Sequence, residues 1–215
     1  MKRKYLILTI ILSLAMGITS SCQNNSTDNK PENVYNTIIT IDNNTDVSEI
    51  KNILETNNIL YKINDESSAI QVTEDEYYNS IFLLGKAGYT TDIFILDNAN
   101  ISTNGTSAER EEAFTKYITD NIKLVLNKSV SAEVFDIQIF NVHTPAIIDS
   151  YNPYTKIILS SKSDCNYSDI CEFVSGAIGS ESATNIIITD TNNTLIFGDK
   201  EVHDVINQLS KAAGL

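Results

Sequence analysis

The sequence predicts an α+β protein built from two small units, each placing its helices on one face of a short mixed sheet. Three observations predict it. Short β-branched runs alternate with segments whose apolar residues recur at helical spacing. The elements fall into the order βαββα and then αββαββ, with a connector between them. Hydrophobic residues make up 42% of the 215 residues, enough to fill a core and to place the bulk of the chain outside the disordered class.

The first unit spans residues 37–89. Thr37-Ile38-Ile39-Thr40-Ile41 is a β-branched strand. Asp46 and Glu49 suit a helix start, and Val47, Ile50, Ile53 and Leu54 share one helical face up to Asn57-Asn58. Ile59 to Ile63 reads as a strand, Asp65 to Ser68 as a turn, and Ala69 to Val72 as the returning strand. Thr73-x-x-Glu76 has the spacing of a capping box. The helix it opens carries Tyr77, Ile81 and Leu84 on one face, with Gly88 as its C-cap. Residues 90–105 form the linker, in which Ile93 to Leu96 reads as either a short strand or a tucked apolar segment.

The second unit spans residues 106–198. Thr106-x-x-Glu109 is another capping-box pattern, and Phe114, Ile118, Ile122 and Val125 line one face of the helix to about Asn127. Val130 to Val142 reads as a long strand, with Phe135, Ile137 and Ile139 on one face and Asp136 and Gln138 on the other. Tyr154 to Ser160 is a strand, Asn166 to Gly179 a helix, and Thr184 to Thr189 a strand. A turn at Asp190 to Asn193 leads Thr194 to Phe197 back along it. Residues 199–215 form a final helix.

The N-terminal 21 residues have signal-peptide architecture. Lys2-Arg3-Lys4 is a basic start, Tyr5 to Ile18 an apolar run, and Thr19-Ser20-Ser21 a small-residue stretch ending at Cys22. The run is shorter than the roughly 20 apolar residues of a transmembrane helix. A small-residue stretch before Cys is how bacterial lipoprotein signals end, and a diacylglyceryl Cys22 supplies the two acyl chains that stable anchoring takes. Thr19 and Ser21 stand where Leu and Gly or Ala are usual, so a plain cleaved signal and an uncleaved anchor are the competing readings. Residues 22–36 then carry the modified Cys22 and a polar, Asn/Ser-rich tether with Pro31.

The chemistry-bearing residue types are sparse. The formal net charge of -13 opposes binding to nucleic acid or to a bare anionic membrane surface. There is no G-x-S-x-G, phosphate loop, dinucleotide-binding glycine pattern or H-E-x-x-H. His143 and His203 have no partners in a recognisable triad, so no catalytic residue, metal or cofactor is assigned. The acidic groups at Asp65-Glu66, Glu74 to Glu76 and Glu109 to Glu112 are read as helix-start and turn residues. Cys165 and Cys171 are six apart; on one helix they are too distant to bridge, and a disulfide requires Cys165 to lie in the preceding loop.

Taken together, these segments resemble the YscJ/FliF family, the ring proteins of type III secretion inner-membrane rings and of the flagellar membrane ring. The resemblance is carried by the helix Asp46 to Asn57 leading into Ile59-Leu60-Tyr61-Lys62-Ile63, by Ile70-Gln71-Val72 with the helix from Glu74 to Gly88-Tyr89, by Glu109-Arg110-Glu111-Glu112-Ala113-Phe114, by the strand Val134 to Val142, and by Ser175 to Ile188 followed by Thr191 to Ile196. Lys128-Ser129 departs from the family's usual Gly-Val, and no apolar segment follows Phe197. The resemblance implies that the two units are ring-building modules of a non-enzymatic, lipid-anchored component of a secretion-type assembly. It implies a homo-oligomeric ring with other apparatus proteins as partners, at the extracytoplasmic face of the cell membrane. The module helices Asp46 to Asn57 and Asn166 to Gly179 and the strand Val134 to Val142 are then the expected interface elements. A monomeric lipoprotein binding a ligand or peptide between its two modules is the alternative.

Overall fold

A computed structural model describes residues 34–43, 45–64, 66, 68–89, 91–94, 106–130, 132–140, 153–160, 165–180 and 182–214. Cys22, His143, Ile95, Leu96 and most of the linker lie outside the described residues.

The first sheet holds β1 (Tyr35–Thr40), β2 (Tyr61–Ile63) and β3 (Ala69–Thr73) in the order β1-β3-β2, antiparallel throughout. A register shift between Thr37 and Ile39 marks a bulge at Ile38. It lets the consecutive Ile38 and Ile39 both be buried, which strict alternation forbids. Helix α1 (Val47–Thr56) buries Ile50 and Leu54, and Asp46 caps it by accepting from the backbone N–H groups of Ser48 and Glu49. Helix α2 (Tyr77–Lys86) buries Ile81, Phe82 and Leu84.

The two Thr-x-x-Glu patterns behave differently. Thr106 accepts from the Glu109 N–H while the Glu109 carboxylate accepts from the Thr106 N–H at 2.7 Å, a complete capping box. The bond from the Thr106 N–H foremost, and a second from the Thr106 hydroxyl at 3.0 Å, hold the Glu109 carboxyl below its ordinary pKa. At Thr73 no side-chain cap forms. Thr73 is the last residue of β3, and a 3-10 turn at Glu74–Glu76 stands between it and the helix. The box expected there is therefore absent, because strand pairing sets the Thr73 backbone before a helical turn begins.

At Ile93 and Phe94 the connector forms a 3-10 turn, Asp92–Phe94, instead of a strand, and it tucks Phe94 into the core. The Asp92 carboxylate accepts from the Thr40 N–H at 2.9 Å and its hydroxyl at 2.7 Å. The Ile93 carbonyl accepts from the Tyr117 hydroxyl at 2.7 Å. The connector is thereby tied to β1 on one side and to the next helix on the other.

That helix, α3 (Ser107–Ser129), precedes β4 (Val134–Phe140), β5 (Tyr154–Leu159), α4 (Tyr167–Ile178), β6 (Ile186–Asp190), β7 (Leu195–Phe197) and α5 (Lys200–Ala213). The second sheet runs β4-β5-β6-β7. β4 and β7 pair antiparallel with their neighbours, while β5 and β6 are parallel because α4 carries the chain across between them. Asn193 takes a left-handed φ of 63° in the β6–β7 turn, where the Asp190 carboxylate accepts from the Asn192 and Thr194 N–H groups.

Phe135 departs from the predicted alternation. The pairing skips from Val134–Leu159 to Asp136–Ile158, so Phe135 is the extra residue of a bulge. It is 59% exposed, while Val134 and Ile137 are buried. The sequence alone assigns its ring to the core face, and one inserted residue reverses that.

A single apolar core runs through both sheets. It joins Ile38, Ile50, Ile70 and Leu84 to Ile122, Ile157, Phe173 and Ile188. Helices α3 and α4 cover one face of the second sheet. Helix α5 lies over the opposite face with a small separate cluster of Phe140, Ile187 and Ile206.

Candidate assembly surfaces

The three elements singled out as interface candidates sit in different surroundings. Helix α4 is an internal joint. Ile170, Cys171, Phe173, Val174, Ser175 and Ala177 are all buried on it. It crosses α2 so closely that a Cβ on Gly176 would collide with the Gly85 carbonyl oxygen. A Cβ on Gly85 would lie 2.7 Å from the Phe173 ring. The ring of Phe173 packs between Phe82, at 5.2 Å between centroids, and Phe94, at 6.0 Å. Lys86 pairs with Asp169 at 2.8 Å, and the Ser129 hydroxyl donates to the Tyr78 carbonyl at 2.8 Å. The contact between α2 and α4 is therefore filled by protein. The signal for it in the sequence is slight: Gly85 and Gly176 sit inside helical patterns where glycine is disfavoured.

Helix α1 presents a polar outer face of Ser48, Glu49, Asn52 and Glu55. Two tyrosines fasten it. Tyr89 donates to Glu49 at 2.6 Å and Tyr61 to Glu55 at 2.7 Å. Burial and then the bond to Glu49 push the Tyr89 phenol up to about 12. The bond to Glu55 raises Tyr61 as well. Next to this helix Leu60 stands 74% exposed.

Strand β4 is an edge of the second sheet. A groove of about 740 Å³ runs between its outer side and α3, lined by Glu111, Glu112, Asp120, Asp136, Ile137 and Ile139 among others. Lys116 also lines it and pairs with Asp120 at 2.7 Å.

The chemistry-bearing residues are scattered. His203 lies on α5 with its Nε2 3.3 Å from the Asn207 amide. Cys171 is buried, and burial, with Glu172 adding to it, pushes its thiol up to about 12. Cys165 lies in the loop just before α4, and both residues carry thiols. Among the described residues no group of three His, Cys, Asp or Glu is placed to hold a metal ion. No helix among them is long and apolar enough to cross a membrane.

Lys156 has no precedent in the sequence reading. It is buried on β5, on the face that α5 covers. Burial lowers its pKa, and the nearby Asp136 carboxylate opposes that shift.

The βαββα unit is where comparison with known proteins speaks. Residues 35–89 match the family model described as the FliF N-terminal domain. In this unit the chain is distantly similar to the YscJ/FliF family. The match ends at Tyr89, so the likeness covers the first sheet with α1 and α2. Comparison with curated proteins finds no match. Among solved structures the chain is similar to the type III secretion system protein EscJ of enteropathogenic E. coli, at 16% identity over 66% of this chain and 90% of that one. The TM-score is 0.28, so this likeness carries no weight for how the elements are arranged.

Proposed function

We propose that this chain is a non-enzymatic, membrane-anchored lipoprotein that builds a ring within a secretion-type assembly. The observation that carries the reading is the FliF N-terminal domain match on a complete βαββα unit. In this reading residues 37–89 and 106–198 are the two ring-building modules, and residues 90–105 link them. Cys22 is the lipidated residue, reached after removal of residues 1–21, and residues 22–36 tether the body to the extracytoplasmic face of the cell membrane. The partners are further copies of the chain and other proteins of the apparatus.

The burial of α4 narrows the seam of such a ring. A helix that fills the joint between the two sheets has little surface to offer a neighbouring copy, and β4 opens beside the carboxylates of α3, which leaves the exposed face of α1 to carry the seam. The same packing removes the space that a ligand lodged between α2 and α4 would need.

The test is the assembly state of residues 33–215, followed by light scattering and negative-stain imaging over a concentration series, free and tethered to lipid vesicles. Rings or arcs are expected. A strict monomer at high density on vesicles would overturn the reading. Lipidation is tested separately by metabolic labelling with a palmitate analogue. Label is expected on the wild type and should vanish in Cys22→Ser; label retained in that variant would remove Cys22 from the anchor.

A further inference from the structure

The open side of β4 is a strand edge facing an acidic helix, and the combination selects a particular occupant. Among the described residues, Asp136 to Phe140 pair with β5 on one side and with no strand on the other. Among the described residues the N–H and C=O groups on that side meet no partner strand, a template for one more strand. Natural edges are commonly blunted, and this one is blunted at its start. The bulge at Phe135 breaks the ladder there, and Lys123 donates to the Phe135 carbonyl at 2.6 Å. Among the described residues no further bulge interrupts the ladder beyond it. The five residues from Asp136 to Phe140 give about 17 Å of straight ladder.

The walls of the groove specify charge. Glu111, Glu112 and Asp120 come from α3 and Asp136 from β4; Lys116 pairs with Asp120 and Lys156 lies near Asp136, which leaves Glu111 and Glu112 as the carboxylates without a cation partner among the described residues. Ile137 and Ile139 provide apolar surface between them. An added strand would lay one row of side chains along this wall. A second copy of this chain suits the site poorly, because the chain carries a net charge of -13.

The geometry points to β4 as a docking edge for an extended segment of a partner protein that carries Lys or Arg at alternate positions. Backbone pairing holds the segment, and the α3 carboxylates select its charge. The inference does not depend on the ring reading, since a monomer could dock such a segment equally well.

The test uses the full chain, purified in detergent. The probe is a fluorescent peptide of about seven residues alternating lysine and valine, matched to the length of the free edge. One control is the same peptide with alternate amides N-methylated, which keeps the charge and removes the strand pairing. The other is the double variant Glu111→Lys/Glu112→Lys, at the half-buried Glu111 and the exposed Glu112 of α3. Each control is expected to weaken binding at least tenfold, and the bound peptide should slow hydrogen exchange at residues 136–140. Equal binding of the N-methylated peptide would overturn the proposal, because general charge attraction would then suffice. Unchanged affinity in the double variant, with unchanged circular dichroism, would overturn it too. Self-association of the chain through residues 136–140, read from exchange protection without peptide, would make a second copy the occupant and likewise refute it.

Discussion

The two faces of the second sheet differ in what they bury. On one face, Val134, Ile137, Ile157, Leu159, Ile186 and Ile188 meet Ile122, Leu126, Ile170 and Phe173 in the main core. On the other, the described residues that are fully apolar and buried are Phe140, Ile187 and Ile206. Partly buried Tyr154, Leu195, Val202 and Leu209 pack around them, and polar groups share the face. Lys156 and Thr189 are buried there beneath α5, and Ser210 is buried on α5 itself. The Gln138 Oε1, the Thr189 Oγ1 and the Ser210 Oγ have no hydrogen-bond partner among the described residues. Apolar area supplies most of the free energy of packing, and buried polar atoms without partners subtract from it. Helices α3 and α4 are thus part of the folding core, whereas α5 is a cover held on by a small patch. A strongly amphipathic helix can look the same in sequence in both situations.

The largest effect expected from this contrast is at the joint. Phe173→Ala removes the ring that fills the space among Gly85, Phe82 and Phe94, and should cost about 3–5 kcal/mol in a urea titration. Gly176→Ala should also destabilise, by about 1–3 kcal/mol, because the added methyl meets backbone that cannot turn aside. A wild-type midpoint in either variant would show that the halves are less tightly joined than the contact implies.

Ile206→Ala should cost less, about 2 kcal/mol, near the lower end for such truncations. Its signature should be local. Amide exchange in α5 should accelerate while exchange in α4 stays slow, since helices held by few apolar contacts open by themselves. Parallel acceleration in both helices would erase the distinction between core and cover.

Lys156→Met should stabilise the protein by about 1 kcal/mol near neutral pH, because it replaces a buried cation with apolar volume. The pH dependence gives the sign independently. The folded-state pKa of Lys156 lies below its ordinary 10.5, so its cost is complete below that lowered value and disappears as pH rises to 10.5. The gap between variant and wild type should therefore narrow as pH rises through this window. Cys171 and Tyr89 act in the opposite direction. Both are raised to about 12, so the stability they contribute is lost as pH climbs from their ordinary values toward 12.

The smallest effect is kinetic. A thiol reagent at mildly alkaline pH should modify Cys165, half-buried before α4, well ahead of Cys171, read by mass spectrometry of the intact protein. Equal rates would mean that α4 opens far more readily than its burial implies.

Much of this fold is legible in the sequence because its signals are local. The β-branched runs, the helical spacing of Ile118, Ile122 and Val125, and the Thr106–Glu109 cap each depend on residues within a turn or two of one another. The element order of both sheets follows from them. Thr73 shows the limit: its pattern equals that of Thr106, but pairing along β3 settles its backbone first. Phe135 shows another, since a bulge is fixed by the partner strand β5 and is invisible in β4 alone.

What the sequence by itself determined is the composition of the pieces: an α+β chain, its acidic charge, the basic start and apolar run before Cys22, and which residues are apolar at which period. Only the tertiary structure decided what each piece faces. It made α4 a joint instead of an outer surface, set Lys156 under α5, and left one side of β4 without a partner strand among the described residues, beside the carboxylates of α3. The physical reason is that propensity and period act along the chain, while burial, close approach and edge exposure depend on residues far apart in sequence that meet only when the core forms.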